Sequence, residues 1–167
     1  PQKERYRLGC VIEAPALYGE LTAKQNMEVF RRAYGLTNKD SIGKILDMMG
    51  LAQYENKAVK KFSLGMKQRL GIAAAIMHNP ELLILDEPIN GLDPIGIKEI
   101  RDLLKKLSCE YGVTILISSH ILSEIENIAD VIGFMDNGVL IDEISREELH
   151  NRLNKFVEFE VSDIDLA

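Results

Sequence analysis

The chain has 167 residues, with 26 acidic against 20 basic side chains and a net charge of −6. This length fits one domain with a sizeable core, and a composition of 46% hydrophobic and 28% charged residues is typical of a globular protein. Net acidity disfavours general binding to nucleic-acid backbones, which requires clustered Lys and Arg. Two cysteines exclude a disulfide framework and favour a reducing compartment. No apolar run reaches the roughly 20 residues of a membrane-spanning helix.

The first third of the chain predicts one strand followed by helices. Residues 8–12 form an apolar run typical of a short buried strand, with Cys10 as a core residue. Residues 13–21 contain Pro and Gly and are predicted to form a loop. Thr22 can cap a helix that extends to about residue 34.

A second helix is predicted after the Thr37-Asn-Lys-Asp40 stretch, which resembles a capping box with Asp in the position of Glu. Its apolar positions share one helical face: Ile42, Ile45, Leu46 and Met49. Residues 22–61 carry no strand signal, so we expect them to form a helical subdomain inserted beside the core.

Helices and strands alternate from residue 66 to residue 135. A helix is predicted over residues 66–77, a strand over 82–85, a helix beginning at Pro94, and a strand over 113–117 that is apolar enough to be buried on both faces. This alternation indicates an α/β core with parallel strands.

The last part of the chain predicts smaller elements. Ser123 can cap a short helix reaching residue 129, and Asn137-Gly138 is a strong signal for a β-hairpin turn. A helix is expected over residues 146–152, and residues 156–161 alternate like a strand with one solvated face.

Two adjacent acids end the apolar strand at residues 82–85. The carboxyl end of a strand is where ligands bind in open α/β sheets, and adjacent carboxylates repel each other unless a cation or proton intervenes. Asp86 can therefore hold Mg²⁺, directly or through water, and Glu87 can polarise a water for attack on a γ-phosphate. The alternative is a pair of solvated acids that ends a strand.

Two further stretches surround this acidic pair. Ser63 is a good N-cap, and Gly65 lets backbone N–H groups approach an anion at a helix N-terminus. His120 follows the next predicted strand and can contact a phosphate there. The alternatives are an ordinary helix cap and a surface histidine.

The stretches FSLGMKQR, LLILDEP, NGLDP and SSH, in this order, resemble the ATPases of ATP-binding cassette (ABC) transporters. The resemblance implies an α/β fold: part of a P-loop NTPase core with a mostly parallel sheet and an inserted helical subdomain. It also implies two cassettes that sandwich two ATP molecules head to tail. In that arrangement Ser63 and Gly65 contact the γ-phosphate held by the opposite subunit, and Asp93 lies at the dimer seam. Asp86 serves Mg²⁺, Glu87 is the general base, and His120 holds the γ-phosphate.

The chain departs from the family pattern at three positions. Leu64 and Met66 replace Gly and Gln of the family signature, and Glu13 stands where the family has a Gln that reaches Mg²⁺. A carboxylate can still ligate Mg²⁺, although it adds negative charge and cannot donate as an amide does. This variant resembles the bacitracin-resistance and lantibiotic-immunity exporters of Gram-positive bacteria.

The sequence contains no Gly-x-x-x-x-Gly-Lys-Ser/Thr phosphate loop (Walker A). We interpret the chain as a truncated ABC ATPase domain that alone neither binds ATP tightly nor hydrolyses it, and that is stabilised by self-association or strand exchange at exposed apolar sheet edges and faces. A naturally degenerate, non-catalytic cassette is the alternative. The expected organisation is a core strand with the Glu13 loop (1–21), a helical subdomain (22–61), the signature helix with the catalytic core (62–145), and a C-terminal extension (146–167).

The resemblance predicts an ATPase subunit that uses ATP and Mg²⁺ to power export, with antimicrobial peptides as the suggested cargo. Its expected partners are a second ATPase subunit and a membrane permease, which contacts the helical subdomain near Leu17, Tyr18 and Leu21. The expected location is the inner face of the cell membrane, and no nucleic acid is expected. A soluble ABC ATPase of DNA repair or translation remains the alternative.

Overall fold

The computed structural model describes residues 7–153, which fall into two compact units divided between His120 and Ile121. The elements of the first unit are β1 (Leu8–Val11), α1 (Ala23–Ala33), α2 (Ser41–Met48), two short 3-10 helices (Ala52–Tyr54 and Val59–Lys61), α3 (Leu64–Ile76), β2 (Leu82–Asp86), α4 (Pro94–Tyr111) and β3 (Thr114–Ser118). The strand predicted over residues 156–161 lies outside the described residues.

The first unit contains a three-stranded sheet in the order β1-β2-β3, with both neighbouring pairs parallel. The predicted parallel α/β core is therefore confirmed. Val11 pairs with Leu85, and Asp86 pairs with Ser118. The register brings the carboxyl ends of all three strands to one edge of the sheet.

Helices cover one face of this sheet. Gly9 and Val11 of β1 face α3, where Gly9 lies directly against the main chain at Ala75. On the opposite face Cys10 is exposed, and Leu116 is 58% exposed. The predictions that Cys10 is a core residue and that β3 is buried on both faces are wrong, because side chains alternate between faces and helices of the first unit pack on only one.

The inserted helical region has its own core, formed by apolar side chains of α1, α2 and the segment after them: Met27, Leu46, Met49 and Leu51. Thr22 caps α1 as predicted, since its hydroxyl accepts from the Gln25 N–H and the Gln25 side chain accepts from the Thr22 N–H. The second predicted capping box is wrong. Asp40, and not Thr37, is the N-cap of α2, and its side chain makes no capping bond. The Asp40 N–H, which the predicted box would pair with Thr37, donates to Asn38 Oδ1 instead.

A histidine connects the end of α3 to β1. His78 Nε2 donates to the Leu8 carbonyl at 3.1 Å, and its ring stacks on Tyr34 with centroids 4.3 Å apart. Burial lowers the pKa of His78 below its ordinary value of 6.5, although the bond to the Leu8 carbonyl acts in the opposite direction. The folded protein therefore favours the neutral imidazole.

We expect His78 to make the protein less stable in acid. Its lowered folded-state pKa means that the unfolded chain binds the proton more readily, so stability is complete above pH 6.5 and falls as the pH drops through the folded-state pKa. The Tm of the wild type should fall more between about pH 7.5 and about pH 5.5 than that of His78→Phe, which keeps a ring against Tyr34 without a titrating group. Equal slopes would contradict this assignment.

The second unit contains α5 (Leu122–Glu126), β4 (Val131–Asp136), β5 (Val139–Ser145) and α6 (Arg146–Leu153). The predicted hairpin is confirmed, with Asn137 and Gly138 both at positive φ. Ser123 was predicted to cap α5, but the N-cap is Ile121 and the helix ends at Glu126. No helix within residues 7–153 is both long and apolar enough to cross a membrane.

Candidate functional site

One hydroxyl group links the two acids at the end of β2. Ser118 Oγ donates to Asp86 Oδ1 at 2.6 Å and accepts from the Glu87 N–H at 3.0 Å. Ser118 is the residue of β3 that pairs with Asp86 in the sheet. The neighbouring strand therefore fixes both the Asp86 carboxylate and the backbone at Glu87.

Glu87 has a left-handed backbone, with φ of 48°. Non-glycine residues in this region cost of order 1–3 kcal/mol, and they cluster at active sites. His120 Nδ1 lies 3.0 Å from each carboxylate oxygen of Glu87. Because an ionised carboxylate only accepts hydrogen bonds, this ring nitrogen carries a proton. The pair can therefore share or relay a proton at the sheet edge.

Glu13 lies beyond the carboxyl end of β1 and also has a left-handed backbone, with φ of 55°. Since Val11 pairs with Leu85, Glu13 follows β1 toward the same sheet edge as Glu87. Its side chain is exposed. Within residues 7–153 no group of three or more His, Cys, Asp or Glu side chains has the arrangement of a metal site.

Ser63 caps α3 as the sequence predicts: its Oγ accepts from the Met66 N–H at 3.3 Å. A Cβ atom added at Gly65 would meet Leu92 at 3.8 Å and Gly96 at 4.0 Å, which are ordinary contacts. The packing of the chain therefore does not itself require glycine at position 65.

Asp93 is the N-cap of α4, and its Oδ1 accepts from the Gly96 N–H at 2.8 Å. Pro94 occupies the first turn, as predicted. Asp93 therefore begins this helix, a structural function that the sequence analysis did not assign to it.

Two residues near the acids were not predicted as part of the site. Ser118 is one, and Gln68 of α3 is the other, since its Nε2 donates to the Pro88 carbonyl at 3.1 Å. Both stand in motif stretches of the sequence, SSH and FSLGMKQR, but their contacts depend on tertiary packing.

A groove of 940 Å³ lies on the helical region between α1 and α2. Its lining includes three apolar side chains, Leu21, Val29 and Ile42, and charged side chains that include Lys24, Lys39 and Lys44. Of the residues predicted to contact a permease, Leu21 lines this groove, whereas Leu17 and Tyr18 are not among its lining residues.

The chain matches the family model described as ABC transporter over residues 1–90. It is 56% identical to a bacitracin transport ATP-binding protein of Enterococcus faecalis, covering 96% of this chain and 52% of that protein. It is 46% identical to a lantibiotic transport ATP-binding protein of Streptococcus pyogenes, covering 95% of this chain and 70% of that protein. The chain spans about half the length of the bacitracin transport relatives that it matches.

Solved structures agree with the fold. The structure of cbiO1 from Clostridium perfringens, part of an ABC transporter complex, has a TM-score of 0.81 at 30% identity and covers 91% of this chain and 62% of its own. A dimeric ATP-binding cassette in a post-hydrolysis state with ADP and Pi has a TM-score of 0.74 at 27% identity, covering 87% of this chain and 66% of its own. The predicted fold class and the resemblance to bacitracin and lantibiotic ATPases are confirmed.

Proposed function

Because this chain belongs to the ABC transporter family, we propose that it is part of an ATP-hydrolysing subunit that powers membrane transport. The observation that carries this proposal is the Glu87 carboxylate, held 3.0 Å from His120 Nδ1 and fixed at its backbone by Ser118. An acid in such a position can take a proton from an attacking water. Of the alternatives, neither a DNA-repair or translation ATPase nor a non-catalytic cassette is favoured by a specific observation.

Asp86 is suited to hold Mg²⁺. It accepts a hydrogen bond from Ser118, and an ionised carboxylate has further lone pairs for a cation. Mg²⁺ is typically held by one or two carboxylates together with water and substrate phosphates, so it requires no cluster of three acids. Bound there, Mg²⁺ would neutralise charge on the phosphates. We propose Glu13 as a second, outer carboxylate at the same edge.

We propose that Ser63 and Gly65 contact the γ-phosphate of an ATP molecule held by a second copy of the protein. Ser63 is the N-cap of α3, whose N-terminal N–H groups and dipole favour an anion, and Gly65 places no side chain in the first turn of that helix. His120 lies beside Glu87 and would donate to the γ-phosphate of the ATP held by its own copy, and Asp93 would lie at the seam between copies. The site is thus completed by a partner subunit.

The groove on the helical region is the proposed docking place of a membrane permease, which would keep the subunit at the inner face of the cell membrane. Its lining of both apolar and charged side chains suits an amphipathic helix. Relatives are named for bacitracin and lantibiotic transport, so we propose export of antimicrobial peptides as the transport activity.

The experiment that tests this function uses the full-length natural protein containing these residues. We expect it to release phosphate from Mg²⁺-ATP within the common range of enzyme turnover, about 1–1,000 s⁻¹. The 167-residue chain alone, which has no phosphate loop, should neither hydrolyse ATP nor bind it with micromolar affinity.

Two results would contradict the proposal. Absence of ATPase activity from the full-length protein reconstituted with its permease would exclude the enzyme function. Micromolar affinity of the chain alone for Mg²⁺-ATP, measured by calorimetry, would contradict the expected dependence on a phosphate loop.

A further inference from the structure

We propose that Gln68 is a positioning residue that holds the Glu87-Pro88 turn and connects it to the N-terminus of α3. This inference rests on the proposed function, because it assigns to Gln68 the control of the catalytic carboxylate. Gln68 itself is not proposed to contact the nucleotide.

The first observation is the burial and bonding of Gln68. The residue is 4% exposed, and its Nε2 donates to the main-chain carbonyl of Pro88 at 3.1 Å. Pro88 is itself buried and directly follows Glu87. The amide therefore connects a helix to the turn that carries the proposed general base, across 20 positions of sequence.

The second observation is an incomplete hydrogen-bond set. Gln68 Oε1 is buried and has no hydrogen-bond partner among the described residues. A buried polar atom without a partner costs free energy, so this penalty offsets part of what the bond to the Pro88 carbonyl contributes to stability. Core stability alone thus does not explain why a glutamine occupies position 68. An apolar residue at this position could not donate the bond to the Pro88 carbonyl.

The third observation is that Glu87 is held from both sides. Its own N–H donates to Ser118 Oγ, and the carbonyl of the next residue accepts from Gln68. These two bonds fix a left-handed backbone that a glutamate does not favour. Loss of the Gln68 bond would let the backbone relax and would move the carboxylate away from His120.

The position of Gln68 in α3 gives this contact a further consequence. Gln68 lies five residues after Ser63, about 7.5 Å along the helix axis. A second contact joins the start of α3 to the segment after Pro88. The Leu64 side chain lies beside Gly91, and a Cβ atom added at Gly91 would lie 3.3 Å from it. A phosphate that shifts the N-terminus of α3 would therefore shift Glu87 of the same copy. Gln68 would thereby couple two groups of one copy: the N-terminus of α3, which contacts the ATP held by the other copy, and Glu87, the general base.

The test is Gln68→Met in the full-length protein, with the exposed residue Gln53 changed to Met as the matched control. We expect Gln68→Met to lower kcat roughly 10- to 100-fold, because small displacements of a catalytic group have effects of this size, while KM for Mg²⁺-ATP changes less than about threefold. Tm should fall by less than about 10 °C relative to the wild type. Gln53→Met should match the wild type in all three.

A second readout needs no nucleotide. The Asn90 N–H donates to the Glu87 carbonyl and the Leu92 N–H to the Ile89 carbonyl, so hydrogen exchange at these amides reports on the turn. We expect faster exchange there in Gln68→Met and no change in Gln53→Met. Ser118→Ala, which removes the opposite bond together with the bond to Asp86, should lower kcat at least as much.

The outcomes separate the two proposals. If the wild type hydrolyses no ATP, the proposed function fails. Unchanged amide exchange in Gln68→Met would overturn the inference about Gln68, whether or not the wild type is active. If the wild type is active and Gln68→Met retains its kcat, the inference alone is overturned. A fall in Tm of more than about 10 °C would also overturn it, since Gln68 would then be a core-stability residue.

Discussion

Glu87→Gln in the full-length protein should reduce steady-state ATP hydrolysis at least about 100-fold, with KM for Mg²⁺-ATP changed less than about threefold. The amide has nearly the shape of the carboxylate but cannot accept a proton from an attacking water. Its backbone remains held by Ser118 and Gln68, so the protein should fold normally. Phosphate release under saturating ATP measures the loss. If two copies enclose ATP, the variant should also persist as an ATP-bound dimer in size-exclusion chromatography.

The matched control is Glu81→Gln. Glu81 lies immediately before β2 and forms an exposed ion pair with Arg7, away from the carboxyl edge of the sheet. Removing its charge should leave kcat unchanged, since exposed ion pairs contribute little. A Glu87→Gln variant with more than about a tenth of wild-type turnover would contradict the assignment of Glu87 as general base.

Elements with local signals were predicted well from the sequence. Thr22 and Ser63 cap the helices that were assigned to them, and Asn137-Gly138 forms the expected hairpin turn. In each case the residues that form the contact lie within a few positions of one another. The Thr37 box did not form although its spacing was right, because Asn38 offered the Asp40 N–H a nearer acceptor.

The acids of the site were predicted from an apolar strand followed by two carboxylates, but their geometry was not. Ser118 reaches Asp86 across 32 positions, and Gln68 reaches Pro88 across 20. Contacts between neighbouring strands or layers produce no periodic pattern in the sequence. The positive φ of Glu87 was also hidden, because glutamate, unlike Gly or Asn, gives no signal for a left-handed backbone. The functions of these residues remain proposals.

The prediction of which strand faces are buried was the least accurate. Residues 113–117 are apolar throughout, which is typical of strands covered on both sides, yet Leu116 is 58% exposed. An apolar strand sequence indicates that both faces of the strand are suited to burial. Whether a helix or another element covers each face is known only from the structure. The same reasoning explains why Cys10 is exposed although it lies in an apolar run.

The largest effect on stability is expected at Gly9, where β1 passes directly against α3. An added Cβ would overlap the Ala75 carbonyl oxygen of α3 and would lie 3.2 Å from Leu83 Cδ1. A main-chain oxygen cannot rotate away as a side chain can, so either the helix or the strand must move. Gly9→Ala should therefore lower the free energy of unfolding by about 3 kcal/mol, the upper part of the range for overpacked cores.

This cost corresponds to a fall in Tm of roughly 6–12 °C, measured by calorimetry on the full-length protein. Gly43→Ala is the matched control, because an added Cβ at Gly43 within α2 meets nothing within 4 Å, so the change should be neutral or stabilising by up to about 1 kcal/mol. Both substitutions restrict the unfolded chain equally, so the difference between them isolates the contact of β1 with α3. A Gly9→Ala variant as stable as Gly43→Ala would mean that β1, and with it the Glu13 loop, does not lie against α3 at this distance.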